Sequence, residues 1–253
     1  MIGSCFITSC GKKNNDVGNV LLNKVLSEKK IRIGTDFVGT PFAFYQDGKE
    51  TGFEVELMQN IASDIGVQIE WIKIPFGVEN FSKEIESGNV DIIIESISYT
   101  SLRNQKFKFS MPYFVSGQAV IVRRHETVPD QFDLSLLKDK KVGIQEGTTG
   151  EIFAKNNCSA QLVQFTSSEE QLNALLDGKV DAIISDILST QTTSWPMWKN
   201  IKVVLKNLTH EEYGVIAKKG EEGMINKINE TLQKLKDDPV DGAYAKLYRK
   251  WFY

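Results

Sequence analysis

The chain has 253 residues, 41% of them hydrophobic and 25% charged, which supplies enough apolar material for real cores and excludes disorder for the bulk. This length exceeds a typical single domain of about 100–200 residues yet is short for two independent ones, so two small lobes of one architecture are expected. A formal charge of −3 leaves no basic excess to neutralise a phosphate backbone, and nucleic acid is excluded as a partner.

At the N-terminus, Ile7-Thr8-Ser9-Cys10 resembles the lipobox of bacterial lipoproteins, in which an aliphatic and two small residues precede a cysteine that becomes diacylated. The polar run from Gly11 to Asp16 then reads as a tether. The apolar stretch before Cys10 is short for a signal h-region and Met1-Ile2-Gly3 lacks a basic n-region, so a lipoprotein with a truncated start is expected. Cys5, Cys10 and Cys158 show no zinc-site spacing, and His125 and His210 sit in no metal-binding helix pattern. Neither a metal nor a cofactor is expected.

From Lys30 to Asp36 polar and apolar residues alternate, a strand that ends at Asp36 before a loop with Gly39 and Pro41. Phe53, Leu57, Met58, Ile61, Ala62 and Ile65 fall at helical spacing, with Gly66 placed as a C-cap. Residues 67–74 read as a strand and 80–87 as a short helix closed by Gly88. Val90 to Glu95 is a continuous apolar run with a polar end, the pattern of a strand buried on both faces.

The unit recurs. Ser168 starts a helix with Gln171 at a capping-box position, Gly178 ends it, and Val180-Asp181-Ala182-Ile183-Ile184 follows as a buried strand. Set beside Gly88-Asn89-Val90-Asp91-Ile92-Ile93-Ile94, this is a helix-Gly-x-Val-Asp-x-Ile-Ile echo about 90 residues on, one copy for each lobe. Alternating strands and helices imply mainly parallel sheets covered on both faces, with ligands outside the carboxyl ends of the strands. Asp36, Ser96, Ser98, residues 145–149 and Asp186 all lie just after predicted strands. The runs 119–124 and 213–217 are read as paired crossover strands, giving a tether at 1–28, a first lobe at 29–122, a second at 123–213 and a return segment of the first at 214–253. The tail, broken near Pro239, should pack on the first lobe.

The segments Ile31 to Asp36, Gly52 to Leu57, Val90 through Arg103, Val142 to Thr149, Val180 through Asp186 and Asp241 to Leu247 together resemble the amino-acid-binding proteins of ABC importers, over nearly the whole chain from Lys29. The resemblance implies an α/β, two-lobed periplasmic-binding-protein fold of type II with a two-strand hinge. It also implies a monomer, outside the cytoplasm in the periplasm or on the cell surface and lipid-anchored there, that binds a free amino acid and passes it to membrane permease subunits.

By the same resemblance Arg103 would clamp the ligand α-carboxylate, a task suited to a planar guanidinium. Ser98 would add a backbone N–H to the carboxylate and a hydroxyl near the ammonium, and the Ser96 carbonyl would be another ammonium acceptor. Thr149 would meet the carboxylate from the second lobe at a helix N-terminus, and Asp186 would pair with the ammonium. The bland alternatives are a surface ion pair for Arg103, turn contacts for the serines, and N-caps for Thr149 and Asp186. Asp36, Phe42, Phe76 and Glu95 would line the side-chain pocket. Gly39 replaces an aromatic residue common in the family, Glu95 stands where small residues are usual, and about two extra residues near Phe76 leave Phe76 and Val78 as rivals for the pocket wall. Two acids suggest a polar or cationic side chain such as that of arginine, lysine, histidine or glutamine. No enzyme is expected, the alternatives being a cyclohexadienyl dehydratase with Glu95 as general acid, or a sensor domain.

Overall fold

The computed structural model describes residues 18–186 and 199–253. Cys10 and the segment after Asp186, where an N-capped helix was an alternative, lie outside the described residues. The expected tether is too long at its C-terminal end: Val20–Glu28 forms helix α1, with Val25 wholly buried.

Strand β1 (Lys30–Thr35) follows directly. The expected Gly/Pro loop folds into a small antiparallel sheet of β2 (Val38–Gly39), β3 (Ala43–Gln46) and β4 (Lys49–Thr51). Asp47 and Gly48, both at positive φ (53° and 75°), form its two-residue turn, the Asp-Gly hairpin signal. Helix α2 (Phe53–Ile65) has the predicted bounds. Gly52 sets its start, because at φ 127° a Cβ there would meet the Phe42 carbonyl oxygen at 2.1 Å.

Then come β5 (Gln68–Lys73), α3 (Val78–Glu86) and β6 (Ile92–Ile93), the last a short core of the predicted strand. Helix α4 (Ser101–Lys106) is capped by Thr100, whose hydroxyl accepts from Arg103 N–H at 3.1 Å. Strands β7 (Phe107–Phe109), β8 (Phe114–Ser116), β9 (Gln118–Arg123) and β10 (Lys141–Gln145) lead to α5 (Thr149–Asn157). The N-cap of α5 is Thr148, so Thr149 is free of that role.

After β11 (Gln161–Phe165), helix α6 (Ser168–Leu176) is capped by Ser167, and Glu170 rather than Gln171 closes the turn by accepting from Thr166 N–H. Gln171 is buried and donates to the Gly143 and Ile184 carbonyls at 2.9 Å each, which fixes α6 on its sheet. Strands β12 (Ala182–Asp186), β13 (Ile201–Leu205), β14 (Glu211–Tyr213) and β15 (Ile216–Lys218) precede α7 (Glu222–Lys236) and α8 (Ala243–Phe252).

Two five-stranded sheets form the lobes, in the orders β5-β1-β6-β15-β7 and β11-β10-β12-β9-β13. In each, three parallel strands are followed by one that runs against them, β15 or β9, and then by a fifth, β7 or β13, antiparallel to that one. The sequence echo has a structural meaning here. Asp91 accepts from Arg32 N–H and Asp181 from Lys141 N–H, both at 2.8 Å, so each repeat aspartate ties its strand to the neighbouring parallel strand, β1 in the first sheet and β10 in the second.

The crossover differs from the expected one. β9 lies inside the second sheet and β15 inside the first. The antiparallel pair β8–β14, residues 114–116 against 211–213, joins the lobes instead. An apolar run as long as 119–122 belongs in a core, and the short crossover strands carry no such run. Helices α7 and α8 return to the first lobe, where Met224, Ile225, Ile228, Leu232, Leu247 and Phe252 enter its core. Helix α1 packs on α7, and Lys24 reaches the buried Asp91 at 2.7 Å.

Candidate ligand-binding cleft

A cavity of about 380 Å³ lies between the carboxyl ends of the two sheets, within the size range of small-molecule sites. Among the described residues its wall holds one basic group, Arg103, against the carboxyls of Asp36, Glu95, Glu169 and Asp186.

Arg103 is 5% exposed. Its guanidinium donates to the Ser98 carbonyl of the first lobe at 3.0 Å and to the Gly147 carbonyl of the second at 3.2 Å, so it already spans the cleft. Burial pulls its pKa below the ordinary value, while Asp186 and Glu211 oppose that shift. Phe76 stands beside it, 5.9 Å from guanidinium carbon to ring centroid.

Facing it on the second lobe are Thr149, at the start of α5, and Asp186, at the end of β12. Gln118, paired with Asp186 in the sheet register, donates to Asp186 Oδ1 at 2.7 Å and to Glu211 Oε1 at 3.0 Å. Burial, then the neighbouring Glu211 carboxylate, pushes Asp186 up to about 7. Glu211 itself is held below the usual carboxylate range: burial acts upward, but hydrogen bonds from Ser98, Thr149, Gln118 and Thr209 outweigh it.

A second group of acids forms the first-lobe end of the cavity. Glu95 accepts from the Thr35 hydroxyl and from Asp36 N–H. Burial raises it well above the ordinary value, with Asp36 and Glu54 adding to the rise. Behind it Glu54, 1% exposed, accepts from Ser96 N–H at 2.8 Å, from the Ser96 hydroxyl at 2.9 Å and from the Tyr113 hydroxyl. Burial pushes Glu54 to about 7. Its partnership takes the Ser96 N–H and hydroxyl, on a residue at φ 47°.

Residues 31–253 match the family described as bacterial extracellular solute-binding proteins, family 3. The chain belongs to that family. It is 30% identical over 92% of its length to the L-cystine-binding protein of Escherichia coli (strain K12), covering 86% of that protein. It is 27% identical to the histidine-binding periplasmic protein of Salmonella typhimurium, over 88% of each chain. Among solved structures, a mutant of ArgBP from T. maritima superposes with a TM-score of 0.81 at 26% identity, over 92% of this chain and 99% of that one. The fold of this solute-binding protein is thus the two-lobed type II form.

All nine sequence-derived pocket residues touch the cavity: Asp36, Phe42, Phe76, Glu95, Ser96, Ser98, Arg103, Thr149 and Asp186. Phe76 reaches it and Val78 does not. Phe42 is mostly a core residue, 2% exposed, with Phe53, Phe114 and Phe252 around its ring. The aromatic missing at Gly39 has neighbours in its place, since Phe37 and Tyr45 line the cavity with their rings 4.6 Å apart.

Sequence reasoning missed Glu54, Gln118, Glu169 and Glu211. Glu54 had a signal: with Leu57, Met58, Ile61 and Ile65 it makes an i, i+3, i+4, i+7, i+11 stripe, and a charge on an apolar stripe asks for a partner. Glu211 had none, sitting in the polar run His210-Glu211-Glu212.

Proposed function

We propose that this solute-binding protein captures a free amino acid with a cationic or strongly hydrogen-bonding side chain and delivers it to the permease of an ABC importer. The observation that carries the reading is the charge layout of the cleft, where among the described residues a single guanidinium faces Asp186, with Asp36 and Glu95 at the far wall. The ligand carboxylate would take the remaining Arg103 donors, the Ser98 N–H and the N–H of Thr149 at the α5 terminus. Its ammonium would meet Asp186, the Ser98 oxygen and the Ser96 carbonyl. A cation beside Asp186 favours the ionised carboxylate and so opposes the rise that burial imposes on it. The side chain would then run to the Asp36–Glu95 wall, where a cation offsets carboxyls that have no basic partner among the described residues lining the cavity.

Support for an amino-acid ligand also comes from the relatives, named as cystine-, histidine- and glutamine-binding proteins, and from a solved ancestral arginine-binding protein, bound to arginine, at 31% identity and a TM-score of 0.77. The setting is the periplasm or cell surface, with Cys10 as the lipid attachment point and the monomer as the working form. Closure about the β8–β14 crossover would bring both sets of contacts onto the ligand.

Thermal unfolding in the presence of each of the twenty amino acids tests this. One or a few, arginine, lysine, histidine or glutamine among them, should raise the midpoint, and Arg103→Ala should remove the effect. No shift with any amino acid, or an undiminished shift in the variant, overturns the reading. A dehydratase activity has one observation in its favour, the buried Glu95 carboxyl at the cavity wall, which burial raises well above the ordinary value, and a solved neighbour is an ancestral amino acid-binding protein described as a precursor of cyclohexadienyl dehydratase. Asp186 argues for the binder, because prephenate has no α-ammonium. Formation of phenylpyruvate from prephenate would decide for the enzyme.

A further inference from the structure

Glu211 lies one layer behind the cleft wall, on the crossover strand β14, and is itself absent from the cavity lining. It is 7% exposed, and its carboxylate is fully engaged by protein donors. Oε2 accepts from the Ser98 hydroxyl and from Thr149 Oγ1 at 2.7 Å. Oε1 accepts from Gln118 Nε2 at 3.0 Å and from Thr209 Oγ1 at 2.8 Å. A carboxylate has about four acceptor positions, so Glu211 has none left for a ligand.

The consequence falls on the two hydroxyls that do line the cavity. A serine or threonine hydroxyl has one hydrogen and two lone pairs. Ser98 and Thr149 both direct that one hydrogen away from the cleft, to Glu211. Thr149 Oγ1 also lies 3.3 Å from Gln118 Nε2, whose two hydrogens are directed at the nearer Asp186 and Glu211 oxygens. What Ser98 turns toward the cavity, in the neighbourhood of Asp186, is therefore a lone pair.

We infer that Glu211 is a positioning residue for the ligand ammonium: by holding the Ser98 and Thr149 hydrogens on the crossover side, it makes both hydroxyls acceptors toward the cleft, which then selects an N–H donor there. The inference rests on an amino acid occupying the cleft as proposed above. It separates two ways of engaging Thr149, whose hydroxyl cannot donate to a ligand carboxylate while Glu211 holds its hydrogen, leaving the backbone N–H for that task. It also explains a buried charge with no ion partner among its hydrogen bonds, since all four donors are neutral groups.

The test is a double-variant cycle read in amino-acid affinity. In Glu211→Gln the amide oxygen stays with the Gln118 and Thr209 donors, because two NH₂ groups cannot face one another. The new NH₂ then points at Ser98 and Thr149, donates to them, and turns their hydrogens toward the ammonium. Using the best amino acid from the thermal screen, calorimetric Kd should rise about tenfold for Ser98→Ala and for Glu211→Gln, the effect of one hydrogen bond to a charged group. In the double variant Ser98→Ala should cost nothing further, or restore affinity, because it removes a hydroxyl that has become a misdirected donor.

A residue that merely stiffens the crossover would instead weaken binding independently of Ser98. A Kd for Glu211→Gln within twofold of wild type, or the two changes multiplying to about a hundredfold, overturns the inference. If Glu211→Gln does not fold, Glu211→Asp, too short to hold both hydroxyls, takes its place in the cycle with the same two outcomes. Wild-type protein that binds no amino acid overturns the reading of the cleft and this inference together, whereas a multiplicative cycle on a binding wild type overturns this inference alone.

Discussion

Asp186 and Glu54 are carboxyls that burial pushes up to about 7, and the sign of their effect on stability is fixed by that direction. Each holds a proton more tightly in the folded than in the unfolded chain. The stability each contributes is full below its ordinary value of about 4 and is lost as pH rises through 7. Glu95, raised too, acts the same way, while Glu211 and Glu151, lowered, act oppositely but only in the acid range. The ligand-free protein should therefore melt at a lower temperature at about pH 8 than at about pH 5.5, and Glu54→Gln should flatten that slope. A slope of the opposite sign would refute the assignment. Amino-acid affinity should run the other way and strengthen as pH rises through 7, because the ammonium needs Asp186 ionised.

Most polar groups of the cleft were legible because polar residues placed just after apolar strands point to the ends of a sheet. Glu211 was not, since a pair of glutamates reads as a solvated face until strand pairing turns one inward. In β14 Glu211 and Tyr213 are buried and Glu212 is exposed, an alternation too short to find without its partner.

Among the elements, the crossover pair shows why position in a sheet cannot be read from apolarity alone. Its strands have three residues each, and the stronger runs beside them belong to the lobes. Helix α2, in contrast, was legible to the residue, because an apolar stripe and glycines at both ends state its bounds. Gly117, which joins β8 to β9, has its Cα against the other crossover segment: a Cβ there would stand 2.2 Å from the Thr209 carbonyl oxygen. That contact is backbone and cannot swing aside. Gly117→Ala is expected to cost about 1–3 kcal/mol, the range for overpacking, and to weaken every ligand by a common factor, since Thr209 and Gln118 both anchor Glu211. Denaturant unfolding and calorimetry on two different amino acids would check both parts, and a loss confined to one ligand would count against it.

At the scale of the molecule, the repeated helix-Gly-x-Val-Asp-x-Ile-Ile unit was the clearest statement in the sequence, and it describes two sheets of equal strand order. What it could not state is how those sheets interleave along the chain. The second lobe is made from one continuous stretch, whereas β15 sits between β6 and β7 in the middle of the first sheet. Three of that sheet's strands are adjacent without it, but β7 has no neighbour until residues 216–218 arrive. A chain that emerges N-terminus first must therefore make the whole second lobe before its first lobe can close. The long loop this implies slows the first lobe further. Pulsed hydrogen exchange during refolding should protect amides of β10 and β12 ahead of those of β7 and β15, and simultaneous protection would show that the interleaving imposes no order. The protein would thus stay an incomplete binder, with half of its cleft unbuilt, until nearly the end of its own synthesis.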